Sequence, residues 1–411
     1  MQYGLIGEHL THSYSCEIHG KIADYQYELC ELRPDELDAF LREPKFKAIN
    51  VTIPYKQSVI PYLYYISDKA KSIGAVNTIV NRDGKLYGYN TDFMGMEALF
   101  EHMGVSLTDK KVLILGTGGT SRTARAVAEA LGAREILKVS RKSGEGVITY
   151  DEALSKHNDA EIIIHTTPVG MFPKSDARPI DISGFTKLEG ILDAIYNPLR
   201  TNLVQDGQER GIPASGGLYM LSGQAVFASA IFQGIETDTK LIDTAYNAVL
   251  GQKRNIVLIG MPSCGKTTVG KMLAQQTGME LIDTDELITE RVGSIADFIR
   301  TEGETAFRNV ESEVIKSIAD KSGCIIATGG GSVLRHENVR ALKHNGVVVF
   351  LDRALENLIT TDDRPLSSSR EALERRYHER YDIYRASADV VIDANTDIEE
   401  EVKKLREEIE K

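Results

Sequence analysis

The stretch Gly260-Met261-Pro262-Ser263-Cys264-Gly265-Lys266-Thr267-Thr268 follows the pattern G-x-x-x-x-G-K-[ST]. Glycines, a lysine and a hydroxyl at that spacing let a chain turning from strand to helix wrap a row of phosphates. Backbone N–H groups of the turn and of the helix start point at phosphate oxygens, and the helix dipole adds favourable potential. Lys266 is placed to reach the β- and γ-phosphates and Thr267 to ligate Mg²⁺, with Ser263, Cys264, Gly265 and Thr268 completing the cradle. The apolar run 255–259 supplies the strand before it, and 269–276, apolar at helical spacing, the helix after it. ATP and Mg²⁺ are the expected ligands. Cys264 lies between the loop glycines, at a helix N-terminus and beside Lys266, which predicts a reactive thiol whose alkylation ATP prevents.

A second turn can hold phosphates. Lys111-Val112-Leu113-Ile114-Leu115 runs into Gly116-Thr117-Gly118-Gly119-Thr120-Ser121, and 122–131 is apolar at helical spacing. Strand, glycine turn and helix make the dinucleotide fingerprint, with Ser121 where the third glycine would stand. NAD-binding proteins place an acid about 20 residues further on, against the ribose 2′-hydroxyl. Here the next strand, 135–139, ends in Ser140-Arg141-Lys142-Ser143. Two cations and two hydroxyls suit a 2′-phosphate, so NADP(H) is expected.

Positioning two such turns takes more than one folded unit. The chain has 411 residues, room for two or three domains at roughly 100–200 residues each. A phosphate loop of this type follows the first strand of its domain, so everything before residue 255 belongs to something else. Hydrophobic residues at 42% and charged residues at 26% are ordinary for globular chains. The net charge of −12 argues against a general nucleic-acid binder. The first six residues lack the basic and apolar regions of a signal peptide, and no apolar run reaches the roughly 18 residues of a membrane span. A cytoplasmic protein without nucleic-acid or membrane partners is expected. Cys16, Cys30, Cys264 and Cys324 have no metal-site spacing and fit reduced thiols.

Before residue 92, β-rich runs at 3–6, 27–32, 48–53 and 75–81 alternate with helical patterns at 16–24, 34–41 and 56–66, which predicts an α/β domain with a mostly parallel sheet. Strands are also expected at 161–165, 190–193, 279–285 and 347–351, and from Cys324 into Gly329-Gly330-Gly331, where a ligand can touch backbone. Asp283 and Asp285, two apart, would share one face of their strand. Helices should close the two halves at 238–250 and 397–411, with a polar linker at 251–255.

Taken in order, Ser13-Tyr14-Ser15, Asn50-Val51-Thr52-Ile53-Pro54-Tyr55-Lys56, Gly74-Ala75-Val76-Asn77-Thr78, Asn90-Thr91-Asp92, the 116–121 turn and Gly217 with Gln224 resemble the shikimate dehydrogenase family. The resemblance implies reduction of 3-dehydroshikimate to shikimate by NADPH. It makes Lys56 and Asp92 a catalytic pair, puts Ser13, Ser15, Thr52, Asn77, Tyr196 and Gln224 on the substrate, and Gly217 near the cofactor. The chemistry is sound: an ammonium beside a ketone that receives hydride can donate the proton, with the aspartate orienting it.

From residue 253 onward the phosphate loop, Asp283, Asp285, Arg308, the 329–331 turn, Arg364 and Arg380 resemble shikimate kinases. That implies phosphoryl transfer from ATP to the shikimate 3-hydroxyl. It assigns Asp285 to the hydroxyl proton, Arg308, Gly330 and Arg380 to the substrate, Arg364 on a lid to ATP, and Asp283 to Mg²⁺ through water. Forked arginine donors suit a carboxylate, and Lys266, Mg²⁺ and Arg364 offset charge on the transferring group. The expected fold is α/β throughout. A substrate domain (about 1–92 and 236–251) and a Rossmann-type NADP domain (about 93–235) make up 1–251. A P-loop kinase domain with a parallel sheet and a lid makes up 252–411. Two other readings stay open: a non-catalytic shikimate-sensing regulator, and a quinate/shikimate dehydrogenase joined to a related small-molecule kinase.

Overall fold

The computed structural model describes residues 1–10, 13–359 and 369–409. The chain divides into two compact units, Met1–Leu250 and Gly251–Lys411.

The first sheet of the first unit orders its strands Tyr27–Glu31, Tyr3–Gly7, Ala48–Val51, Thr78–Arg82, Lys85–Tyr89 and Tyr65–Ile66. The first three pair in parallel. Three of the five strand pairings are parallel, as expected, and the exception is Thr78–Arg82, which is antiparallel to both Ala48–Val51 and Lys85–Tyr89. The cause is local. Asp83 (φ 52°) and Gly84 (φ 81°) form a two-residue turn with both φ positive, which folds the chain back as a hairpin. Nor does a helix form over 56–66. Ile60–Tyr62 is one 3₁₀ turn and Tyr65–Ile66 a strand, because Pro61 and the β-favouring residues after it override the spacing. The helix starts later, at Asp68–Ile73, where the Ser67 side chain accepts from Ala70 N.

The second sheet is wholly parallel in the order Ala214–Ser215, Gly190–Asp193, Ile162–His165, Lys111–Leu115, Glu135–Ser140, Val147–Thr149. Ile162, Ile163, Ile164, Val112, Leu113 and Ile114 are all fully buried, as strands covered by helices on both faces must be. Strand order reverses at Lys111–Leu115, and the first glycine turn leaves its carboxyl end. The helices Thr91–Met103 and Leu218–Gln233 meet at glycines. A Cβ on Gly95 would lie 2.8 Å from Gln224 N, and one on Gly223 would lie 3.1 Å from Gly95 Cα. This close approach carries Gln224 towards the first sheet.

The second unit has one parallel sheet, Glu280–Asp283, Cys324–Ala327, Asn255–Ile259, Gly346–Asp352, Val390–Asp393. Asn255–Ile259 is central and buried throughout, and the phosphate loop leaves its carboxyl end. The polar linker expected at 251–255 is not coil: the helix Lys240–Lys253 runs through most of it and the strand begins at Asn255. Among the described residues no helix is long and apolar enough to cross a membrane.

Leu258 is fully buried in the central strand, so Leu258→Ala should cost about 2–5 kcal/mol. Hydrogen exchange should then accelerate across Gly251–Lys411 and stay unchanged in Met1–Leu250. Equal acceleration in both would contradict two separate cores.

Candidate active sites

Asn90 caps the helix Thr91–Met103, accepting from Phe93 N at 3.2 Å and donating to Ala75 O at 2.9 Å. Asp92 therefore stands in a first helical turn, where the dipole favours a carboxylate. Lys56 Nζ donates to Asp92 Oδ2 at 2.6 Å, with the two side chains 21% and 14% exposed. A short, charge-assisted bond of this kind fixes the ammonium. Beside it, Asn77 Oδ1 accepts from Thr91 N at 2.7 Å, and Asn77 Nδ2 donates to Thr91 Oγ1 at 3.1 Å and Gln224 Oε1 at 3.5 Å. Behind Asn77, Asn50 Nδ2 donates to its carbonyl at 3.1 Å, and Asn50 Oδ1 accepts from Tyr27 OH at 2.7 Å. The Tyr27 ring stacks on His19 at 3.8 Å. His19 is fully buried, and burial lowers its pKa from 6.5 to about 3. His19 carried no signal in the sequence.

A second group forms nearby in the chain. Ser13 Oγ donates to Ser15 Oγ at 3.0 Å, and the Tyr14 ring lies 5.3 Å from that of Tyr196. Burial raises the Tyr196 pKa and keeps its hydroxyl a donor. Thr52 is half-buried at a strand end, its N–H on Ile6 O at 2.9 Å.

In the dinucleotide turn Gly116 has φ 119°, and a Cβ there would meet Thr166 Oγ1 at 2.7 Å. Gly118 and Gly119 differ: a Cβ on either meets nothing within 4 Å. That open backbone, ahead of the helix Gly119–Ala130 with Thr120 in its first turn, fits a pyrophosphate. Ser121 is turned away from this space. It is fully buried and its Oγ donates to Gly116 O at 2.8 Å, so it braces the turn where a ligand contact was expected. Gly217 is likewise buried, and a Cβ there would lie 2.7 Å from the Ala194 carbonyl carbon. Close packing thus explains the glycine. Ser140 ends its strand, with Arg141 and Lys142 exposed just beyond. One buried chain had no sequence signal: His165 bonds Asp193 Oδ1 at 3.0 Å and Thr167 Oγ1 at 2.7 Å, and Thr201 Oγ1 donates to Asp193 Oδ2 at 2.6 Å. It pins the loop that packs under Gly116.

In the second unit, Gly260 (φ 146°), Ser263 (φ 66°) and Gly265 (φ 102°) curl the phosphate loop around one end of a cavity of about 770 Å³. Lys266, Thr268, Asp285, Arg308, Gly330 and Arg380 also line it. Lys266 Nζ donates to Gly260 O and Met261 O, each at 3.0 Å. Thr267 Oγ1 donates to Asp283 Oδ2 at 2.8 Å, a hydroxyl and a carboxylate whose hard oxygens fit Mg²⁺ shared with phosphates and water. Among the described residues no cluster of three or more metal-ligating His, Cys, Asp or Glu occurs.

Two expectations need correction here. Asp285 does not share a strand face with Asp283. The strand stops at Asp283, which caps the helix Thr284–Val292 by accepting from Asp285 N at 3.0 Å. The 329–331 glycines all line the cavity, where a ligand can reach their backbone, and they also make room for the protein's own side chains: a Cβ on Gly329 would meet Asp285 Oδ1 at 2.7 Å, and one on Gly331 would run into the Arg308 guanidinium. Gly330 O accepts from Arg380 at 3.1 Å and from Tyr384 OH. Cys264 is not presented for reaction. It is fully buried in the hydrophobic core, 3.7 Å from Lys266 Nζ, because the loop turns it under the sheet end. Arg364 lies outside the described residues. Arg308 donates to Glu311 Oε2 at 2.7 Å and Glu304 Oε1 at 3.1 Å, and fully buried Glu311 also accepts from Ser332 Oγ at 2.8 Å. Glu304, Ser332 and the cavity-lining Arg376 were not picked out from the sequence.

Residues 262–410 match the family described as shikimate kinase, and 5–79 the shikimate dehydrogenase substrate binding domain. The chain is 37% identical over 260 residues to the shikimate dehydrogenase (NADP(+)) of Clostridium beijerinckii, spanning 60% of this chain and 96% of that one. It is 34% identical over 248 residues to that of Geobacillus kaustophilus, spanning 55% and 90%. A chorismate mutase/shikimate 5-dehydrogenase fusion protein from Clostridium acetobutylicum superposes over 60% of this chain and 96% of its own, at 36% identity and TM-score 0.57. The shikimate 5-dehydrogenase of Thermus thermophilus, solved with NADP(H) and shikimate, covers 59% and 97%, at 25% identity and TM-score 0.54.

Because the His19 pKa is depressed in the fold, the unfolded chain takes up its proton first, and stability falls as pH drops from 6.5 towards about 3. Urea unfolding of Met1–Leu250 at pH 7 and pH 5 should show wild type losing about 2 kcal/mol more than His19→Gln. Equal losses would contradict a buried neutral imidazole.

Proposed function

The chain belongs to the shikimate dehydrogenase family and carries a shikimate kinase domain behind it, and from that premise we propose that its two sites act in succession on one ring. It is a bifunctional shikimate-pathway enzyme, an NADP-dependent oxidoreductase and an ATP-dependent kinase. The first unit reduces 3-dehydroshikimate to shikimate. The 116–121 turn would hold the pyrophosphate of NADPH, and Ser140, Arg141 and Lys142 its adenosine 2′-phosphate; the bound cofactor would supply the hydride that reduces the ketone. Lys56, oriented by Asp92, gives a proton to the oxygen that gains charge. Asn77, Gln224, Thr52, Ser13, Ser15 and Tyr196 receive the ring hydroxyls and carboxylate.

The second unit phosphorylates the 3-hydroxyl. ATP with Mg²⁺, held by the phosphate loop, Thr267 and Asp283, supplies the phosphoryl group. Asp285 accepts the hydroxyl proton, Arg308 and Arg380 hold the carboxylate near Gly330, and Lys266 and Arg364 offset charge on the phosphoryl oxygens. What carries the reading is that one chain sets a lysine–aspartate pair and a phosphate cavity with its own acid and forked cations at separate sheets. NADPH, ATP and free cysteines suit a reducing cytoplasm, where we place the protein.

With 3-dehydroshikimate, NADPH, ATP and Mg²⁺ supplied together, Lys56→Ala should slow NADPH oxidation by roughly 10²–10⁴-fold while added shikimate is still phosphorylated. Lys266→Ala should leave NADPH oxidation intact and let shikimate accumulate. Either variant abolishing both activities would contradict the assignment. Arg141→Ala should raise KM for NADPH by about tenfold and leave that for NADH unchanged; a parallel rise in both would remove Arg141 from the 2′-phosphate.

A further inference from the structure

The kinase cavity contains a cation that no motif identified. Arg376 lies one helical turn before Arg380 on Arg370–Ser387, so the two side chains share a face, and both line the cavity, as Arg308 does. Arg308 is heavily committed within the protein. Its two terminal nitrogens donate to Glu311 and Glu304, and its buried Nε has no hydrogen-bond partner. One nitrogen of Arg380 is turned to Gly330 O. Five acidic side chains line the cavity against four cations, of which Arg376 is one. A carboxylate entering such a space is repelled by the acids, and each cation that lines it offsets part of that repulsion.

Resting on the shikimate kinase reading, we propose that Arg376 is a third substrate-binding arginine, joining Arg380 and Arg308 around the ring carboxylate. Two guanidinium groups one turn apart repel each other, and an anion seated between them relieves that repulsion. The Arg376 pKa is lowered first by burial and then by the Arg380 charge, as this arrangement requires. Arg376 is half-buried, within reach of a ligand and partly shielded from solvent. Each forked pair adds geometric fit as well as charge, so the three arginines set specificity for a carboxylate over a neutral group.

The test varies shikimate and ATP separately in the kinase assay of the full chain. Arg376→Gln should raise KM for shikimate roughly tenfold with kcat within about twofold and KM for ATP unchanged. Arg376→Lys, which keeps the charge and loses the fork, should fall between. Shikimate methyl ester should be a much poorer substrate than shikimate for wild type, and that penalty should shrink about tenfold in Arg376→Gln. An unchanged KM for shikimate, an unchanged ester penalty, or a change confined to KM for ATP would overturn the proposal, the last by assigning Arg376 to the phosphates. A wild-type chain that oxidises NADPH but leaves shikimate unphosphorylated would overturn the kinase reading itself, and the role of Arg376 with it.

Discussion

Both candidate sites depend on a helix start held at the carboxyl end of a buried parallel strand. Lys111–Leu115 and Asn255–Ile259 are each buried along their length, and strand order reverses beside each. At such a point the flanking connections diverge to opposite faces and leave a crevice. A helix begins in that crevice in both units, at Gly119 and at Lys266, with its positive end towards the opening. Gly116 at φ 119° and Gly265 at φ 102° let the backbone turn there. Anion affinity is therefore a property of the main chain, and the side chains around it decide which reaction follows.

Those side chains are held by two different polar arrangements. In the first unit neutral amides and hydroxyls do it. Asn50, Asn77, Thr78, Thr91 and Gln224 are buried and bonded to one another, which offsets the cost of burying them and fixes the first helical turn that carries Asp92. The facing glycines Gly95 and Gly223 let Gln224 join that set. In the second unit charges do it. Glu311 is fully buried against Arg308 and Ser332, and removing one partner of such a pair leaves an uncompensated charge worth about 3–5 kcal/mol. The first arrangement preserves a neutral floor under a single lysine–aspartate pair; the second shapes a cavity through opposed charges.

What was legible in the sequence was local. The phosphate loop, the dinucleotide turn and the helix after each are written in spacings of a few residues, where covalent geometry dominates. The Lys56–Asp92 pair joins residues 36 apart in the chain, and only the resemblance of several blocks in order made it visible. His165, His19 and Arg376 stood alone in the sequence, because what matters about them is which distant residues the fold sets beside them. The misreadings have the same origin. Asp283-Thr284-Asp285 fits a strand by alternation and a helix start by capping, and capping wins once the strand reaches the sheet edge. Cys264 had the right neighbours for a reactive thiol but points into the core.

Joining a reductase to a kinase makes the product of one site the substrate of the other, and that order has a stoichiometric consequence. The most direct test follows NADPH oxidation by absorbance and phosphate-ester formation by ³¹P NMR in the wild-type chain given 3-dehydroshikimate, NADPH, ATP and Mg²⁺. One NADPH should be oxidised for each ester formed, and omitting NADPH should stop ester formation altogether. An ester appearing without NADPH, or NADPH oxidised to completion with no ester, would contradict two sites working in sequence on the same acid.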